Sequence, residues 1–369
     1  MPAIPEWNKP HFVIFGFVYT GTISYKGISM LLFRPIRVYF EPASLEYDLG
    51  KQIWQQCLNL GITVMKTPSH NRVSGIPGAD FAERYREAKR TMVVSVRRKG
   101  AFQTSKPSAD YALPLATGCP GHCQYCYLNT NLGTRSYVRI YVNTDDILAR
   151  AQHYIEEAGD KIVTFDGSCT SDPVATESWT GALAKTIGFF AKQKYGRFRF
   201  VSKFHVVNSL LNLNHAGHTR IRFSINAPFV AKQFEQATPS IKLRLAAAAQ
   251  VAQSGYPLGF LIGPIMHYPR WQAEYSNLLI ELARTLDAKP LDLHFELVTH
   301  RYTERAKRVI NSVYPNNRLP MDETDRRFKW GQFGYGKYIY STERMAEMRM
   351  FFYATLSELF PTATVDYFV

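Results

Sequence analysis

Short apolar runs alternate with stretches of helical periodicity along most of this chain, and that alternation predicts its fold. Between Arg37 and Arg98 the order reads strand, helix, strand, helix, strand: "RVYFEP", "SLEYDLGKQIWQQCLNLG", "ITVMKT", "DFAERYREAKR" and "TMVVSVRR". This is the pattern of a small α/β unit. The polar, Pro-punctuated "KGAFQTSKPSADYALP" then predicts a linker or entry loop. Beyond it, "RIYVN" precedes the helix "TDDILARAQHYIEEAG", "KIVTFDGS" precedes "WTGALAKTIGFFAKQK", and "RFRFVSKF" precedes a predicted helix "NSLLNLNHAG". "TRIRFSIN", the Ala-rich helix "IKLRLAAAAQVAQSG", "PLGFLIGPI", the helix "WQAEYSNLLIELARTL" and "LDLHFELV" continue the series.

Apolar strands separated by amphipathic helices imply a parallel sheet that presents its active residues at the carboxyl ends of the strands. Counting from "RIYVN" gives about six such units, which fits a partial barrel rather than a closed one of eight. The tail from Arg301 to Val369 is basic, aromatic and Gly-broken, and "RRFKWGQFGYGKYIY" within it predicts a hairpin. The predicted division is a peripheral extension over 1–33, an α/β unit over 34–110, a partial-barrel core over 111–300 and a C-terminal region over 301–369. The first segment is apolar only in patches, and Met30 opens a more ordinary beginning, so residues 1–29 are expected to be either a mis-assigned start or a dispensable extension.

Composition narrows the class. A chain of 369 residues that is 46% hydrophobic and 14% aromatic builds a core without disulfide support. Lys and Arg exceed Asp and Glu by 44 to 30, a surplus that suggests a polyanionic partner. No apolar run reaches the ~18 residues needed to span a bilayer, and the first segment lacks the basic start expected of a secretion signal. The five cysteines, Cys57, Cys119, Cys123, Cys126 and Cys169, are odd in number and unevenly spaced, which argues for a reducing, cytoplasmic compartment.

Three of them carry the chemistry. Cys119, Cys123 and Cys126 stand at C-x3-C-x2-C beside Gly118, Pro120 and Gly121, in a segment whose Gly and Pro hold an irregular loop able to aim three sulfurs at one point. A structural zinc would need a fourth ligand, with His122 or Cys169 the candidates. Three thiolates without a second cysteine hook suit a four-iron cluster with one iron open to a ligand.

C-x3-C-x2-C followed by an aromatic resembles the signature of the radical S-adenosylmethionine superfamily. Several further segments in order, among them "YFEPASLEYDLG", "SKPSADYALPLATGCPGHCQYCYLNTNLG", "CTSDP", "FVSKFH", "RFSINA", "GYPLGF" and "KWGQFGYGKYIY", resemble the spore photoproduct lyase family from about Arg34 to the end. That resemblance implies a partial (β/α)6 barrel of the radical S-adenosylmethionine type with a C-terminal hairpin region, and two cofactors, a [4Fe-4S] cluster and S-adenosylmethionine (AdoMet). It implies reversal of 5-thyminyl-5,6-dihydrothymine in DNA to two thymines by a 5′-deoxyadenosyl radical, in the spore core or germinating cell, with an electron donor it does not identify.

By the same resemblance Cys119, Cys123 and Cys126 ligate the cluster, Cys169 gives a hydrogen atom to the substrate radical, and Tyr125 and Tyr127 relay one back. Ser171, Lys203 and Ser224 follow successive strands and would hold AdoMet, with Asp172 and Asn226 as further candidates for that layer. Gln332 and Phe333 stand where the family pattern leads us to expect a basic residue and a tyrosine. His122, His205 and His300 receive no role. Two other readings stay open on sequence alone: another radical enzyme acting on nucleic acid, and a nucleic-acid-binding protein with a structural metal.

Overall fold

The computed structural model describes residues 32–67, 73–98, 100–286, 292–330, 334 and 336–369. Of the predicted peripheral extension only Leu32 and Phe33 fall within them, and Phe33 is buried, its carbonyl accepting from Trp179 Nε1 at 2.8 Å. Gln332 and Phe333 lie outside the described residues.

Two sheets build the fold. The smaller has five strands in the spatial order Thr63–Lys66, Arg37–Phe40, Thr91–Ser95, Val138–Tyr141 and Ala116–Thr117. The first four run parallel and the last antiparallel. Val138–Tyr141, expected as the first strand of the barrel, thus belongs to this smaller sheet. Its four residues are all buried, and the smaller sheet receives them beside the equally buried Thr91–Ser95.

The larger sheet is an open, curled half-barrel of eight strands. In spatial order these are Thr104–Ser105, Ala109–Ala112, Val163–Asp166, Gly196–Ser202, Thr219–Ile225, Leu258–Ile265, Leu293–Thr299 and Thr364–Phe368. All neighbouring pairs are parallel except the one made by Thr104–Ser105. The predicted linker therefore supplies two strands; Ala109–Ala112 is too short, and too close to Pro107 and Pro114, to stand out as one in the sequence. The tail supplies the other edge strand. Burial alternates strictly along Gly196–Ser202, as a strand with one face on the helix layer and one on the barrel interior requires.

Most predicted helices form, including Asp48–Asn59, Thr144–Glu157, Ile241–Gln253 and Trp271–Thr285. "NSLLNLNHAG" does not; it folds as turns. Its Ser and Asn side chains compete for backbone groups, which favours turns over helix. The tail holds two helices the sequence did not announce, Glu304–Val313 and Thr342–Leu359. The latter packs on Trp271–Thr285 through Trp271 with Phe351 and Tyr275 with Phe352. The predicted hairpin is present as Arg326–Trp330 paired antiparallel with Gly336–Tyr340.

Polar residues fill part of the barrel interior. Arg222, 1% exposed, reaches Asp166 at 2.6 Å and Glu296 at 2.7 Å, and Arg199 joins Glu296 and Asp366. Burial works to raise the Asp166 carboxyl, but Arg222 and Ser168 outweigh it and hold it below the usual range. Among the described residues no helix is long and apolar enough to cross a membrane.

Candidate active site

The cysteine loop is fastened to both sheets. Ala116–Thr117 anchors its start in the smaller sheet, while Gly118 N donates to Thr170 O at 2.8 Å, beside Cys169. Gly118 has φ +81°, and a Cβ there would lie 2.3 Å from Tyr137 O, so the position admits only glycine without distortion. Farther on, His122–Cys123 pairs antiparallel with Glu235–Gln236, a two-residue strand after the helix Pro228–Phe234.

A cavity of about 990 Å³ opens over the carboxyl ends of the barrel strands, where the alternation of strands and helices places it. Cys119, Cys123 and Cys126 line it, as do Tyr125, Tyr127, Ser171, Asp172, Lys203 and Ser224. The three expected cluster ligands and the expected cofactor residues Ser171, Lys203 and Ser224 thus meet in one place, while Asn226 does not line it. Cys169 is not among the lining residues, although its neighbour Ser168 is. Tyr127 OH donates to Cys169 O at 2.6 Å, and Cys169 Sγ shares a hydrogen bond of 2.7 Å with Ser105 Oγ. Burial above all, with Asp166 nearby, pushes the Cys169 thiol up to about 12, so it stays protonated at neutral pH. Asn226 is committed elsewhere: its amide donates to Pro264 O and its oxygen accepts from Tyr275 OH.

Beneath the cavity lies a residue the sequence gave no reason to single out. Glu235 is fully buried and accepts a short hydrogen bond from Tyr125 OH. Lys203 Nζ lies 3.1 Å from Glu235 Oε1, and Arg244 lies 2.6 Å from Oε2. Burial alone would raise this carboxyl, but Lys203 and Arg244 prevail and hold it at about 2. Lys203 Nζ also donates to Ser224 Oγ at 2.8 Å, and its backbone N–H donates to Asp172 Oδ2 at 2.8 Å. Glu235 therefore ties one tyrosine of the cysteine loop to the lysine and serine of two barrel strands. An isolated Glu in "KQFEQATPS" carries no motif, and only the fold reveals it.

The donor set fits an iron–sulfur cluster better than a single ion. Three thiols share the cavity, a soft donor set that suits iron and leaves one position of a four-iron cluster open. Ser171 Oγ is buried without a hydrogen-bond partner, a group that a bound polar ligand would satisfy. Arg301, Arg305, Arg308, Lys337 and Phe328 also line the cavity, together with Glu304, and give it a net positive side-chain charge there. Partial burial lowers the Lys337 ammonium, and the charges of Arg301 and Lys329 lower it further.

A parallel half-barrel whose strand ends face a three-thiol loop defines the class as a radical S-adenosylmethionine enzyme. Comparison with known proteins narrows it: the family model described as spore photoproduct lyase matches residues 33–369. The chain belongs to the spore photoproduct lyase family. It is 48% identical to the spore photoproduct lyase of Geobacillus sp. (strain Y412MC61) over 337 residues, covering 91% of this chain and 99% of that protein. It is 45% identical to that of Bacillus subtilis (strain 168) over 338 residues, covering 91% and 98%. A doubly substituted spore photoproduct lyase solved with bound AdoMet and dinucleoside spore photoproduct matches with a TM-score of 0.89 and 49% identity, covering 91% of this chain and 99% of that one.

Proposed function

We propose that this chain repairs DNA by returning the spore photoproduct, 5-thyminyl-5,6-dihydrothymine, to two thymines. The observation that carries the reading is the convergence of Cys119, Cys123, Cys126, Tyr125, Tyr127, Lys203 and Ser224 on one cavity, with Tyr127 bonded to Cys169 beside it. Relatives at 45–48% identity over most of the chain carry the name of that activity, and a similar structure holds both AdoMet and the dinucleoside lesion.

Cys119, Cys123 and Cys126 would hold a [4Fe-4S] cluster, and Ser171, Lys203 and Ser224 would hold AdoMet. Together these cofactors supply a carbon-centred radical able to abstract hydrogen from the saturated ring of the lesion. The protein's own residues then govern what happens to the substrate. Cys169, kept as a thiol by burial, donates a hydrogen atom to the thymine allylic radical left when the methylene bridge breaks. Tyr127, hydrogen-bonded to the Cys169 backbone, and Tyr125 would relay a hydrogen atom from the cofactor side to the Cys169 thiyl radical, so that both phenols and the thiol end as they began. The enclosing walls keep reactive carbon away from water and stray C–H bonds.

Residues 301–369 supply the DNA-contacting surface. Arg305, Arg308 and Lys337 at the cavity wall neutralise phosphates, and exposed Phe328 and Trp330 on the hairpin face the gap a displaced lesion leaves in the stack. All five cysteines are free, which supports work in a reducing compartment, the spore core or germinating cell, with a separate electron donor.

The test is anaerobic incubation of the reduced, reconstituted protein with DNA carrying the lesion, followed by analysis of bases and adenosyl products. Restored thymines with AdoMet cleavage are expected. AdoMet cleavage with the lesion left intact would instead point to another radical reaction on nucleic acid.

A further inference from the structure

Lys89 closes the helix Phe81–Lys89 and is 2% exposed. Its ammonium donates to Cys119 O at 2.5 Å, Gly121 O at 2.7 Å and Asn129 Oδ1 at 2.6 Å. A lysine ammonium has three donors, so all are used. Asn129, 4% exposed, extends the grip by donating its own amide to Cys123 O at 3.1 Å. Backbone carbonyls from Cys119 to Cys123 thus turn inward onto one cation and its relay. That orientation leaves the cysteine side chains on the other side, toward the cavity they line.

The charge of Lys89 is equally specific. Among the described residues no Asp or Glu forms an ion pair with it; its three partners are neutral oxygens, two of them carbonyls of the loop that carries Cys119 and Cys123. A buried cation held by neutral dipoles alone is costly, and a nearby anion offsets that cost. We infer that Lys89 is a positioning residue for the iron–sulfur centre: it sets the backbone of the cysteine loop and serves as the buried counter-cation of the thiolate-bound cluster, easing its reduction. This rests on Cys119, Cys123 and Cys126 being the cluster ligands.

A fixed positive charge beside a cluster favours the state with one more electron, so removing it lowers the reduction potential. Two variants separate charge from folding. Lys89→Gln removes the cation while keeping a polar chain of similar reach. Asn129→Asp leaves Lys89 in place, keeps an oxygen for it to bond and adds a neutralising carboxylate. Each is reconstituted anaerobically without AdoMet; iron and sulfide per chain are measured, and the cluster's midpoint is found by an EPR-monitored titration. Both variants are expected to show an equilibrium constant for cluster reduction at least tenfold lower than the wild type, ~59 mV for one electron. Wild-type midpoints in both would overturn the inference. If Lys89→Gln fails to fold, the Asn129→Asp midpoint alone decides in the same sense. A wild-type chain that takes up no iron would overturn the ligand reading itself, a result distinct from unchanged midpoints in loaded variants.

Discussion

The phenol of Tyr127 donates its hydrogen to the backbone carbonyl of Cys169 at 2.6 Å, joining the cysteine loop to the segment that follows the strand Val163–Asp166. Tyr127 is also 57% exposed, so its ring contributes little to the core. Tyr127→Phe is therefore expected to leave unfolding unchanged while turnover slows and AdoMet consumed per lesion repaired rises several-fold. Chromatographic counts of 5′-deoxyadenosine against thymine check it, and an unaltered ratio would remove Tyr127 from the relay.

Cys169 is predicted to control the outcome of repair rather than bridge cleavage. In Cys169→Ala the lesion should still break while restored thymine falls and side products appear, because Ser105, its hydrogen-bond partner, has an O–H too strong to replace the thiol as a hydrogen-atom donor. Mass analysis of the released dinucleotides reads this directly. A wild-type product distribution would exclude the role.

Glu235→Gln should be costly. It leaves Lys203 and Arg244 buried without their shared countercharge, a loss of about 3–5 kcal/mol for a broken buried ion pair. The carboxyl titrates at about 2 in the folded chain against an ordinary 4.5, so its stabilisation is present above pH 4.5 and is lost only as pH falls toward 2. Urea unfolding of apo-protein at pH 7 and pH 5 should show the same gap between wild type and variant. AdoMet affinity should fall as well, since Lys203 loses its fixed position.

The opposite sign is expected at Glu177. This buried carboxylate accepts from Leu183 N at 2.7 Å and Ala184 N at 3.0 Å, capping the helix Ala182–Phe190, and burial pushes it up to about 7 despite those bonds. With the folded value above the unfolded 4.5, native protein binds the extra proton between those limits, and stability declines as pH rises through that window. Glu177→Gln should make the decline markedly shallower, the buried Asp172 carboxyl, pushed up to about 6, accounting for what remains. The measurement is unfolding free energy at pH 5 and pH 7.5; parallel pH profiles for the two proteins would refute it.

Arg327 and Lys329 are exposed on the hairpin strand Arg326–Trp330. If they meet phosphates, replacing both with Ala should flatten the dependence of log affinity for duplex DNA on log salt by up to about 1.8. Fluorescence anisotropy across a salt series checks it. An unchanged slope would place the DNA elsewhere.

How much of this could be read beforehand depended on locality. Strand and helix alternation announced Gly196–Ser202, Thr219–Ile225 and Leu258–Ile265 because each is a short run between amphipathic helices, with burial alternating strictly in the first and nearly continuous in the other two. The order of strands did not follow from it: Val138–Tyr141 is as apolar as a barrel strand, and only its partner, Thr91–Ser95, assigns it to the smaller sheet. The cysteines, Tyr127 and Lys203 sit in short motifs and were visible at once. Glu235 and Lys89 were not. Each is a charged residue in a polar run that ordinarily signals a solvated surface, and each is buried only because partners distant in sequence surround it.

The pairing of His122–Cys123 with Glu235–Gln236 carries a consequence for biogenesis. The loop that would seat the cluster is stitched to a strand made much later in translation, after five of the eight strands of the half-barrel have emerged. Iron and sulfide must then be delivered to a largely finished polypeptide rather than to a nascent one, and apo-protein should accumulate as a folded, loadable reservoir when their supply runs short.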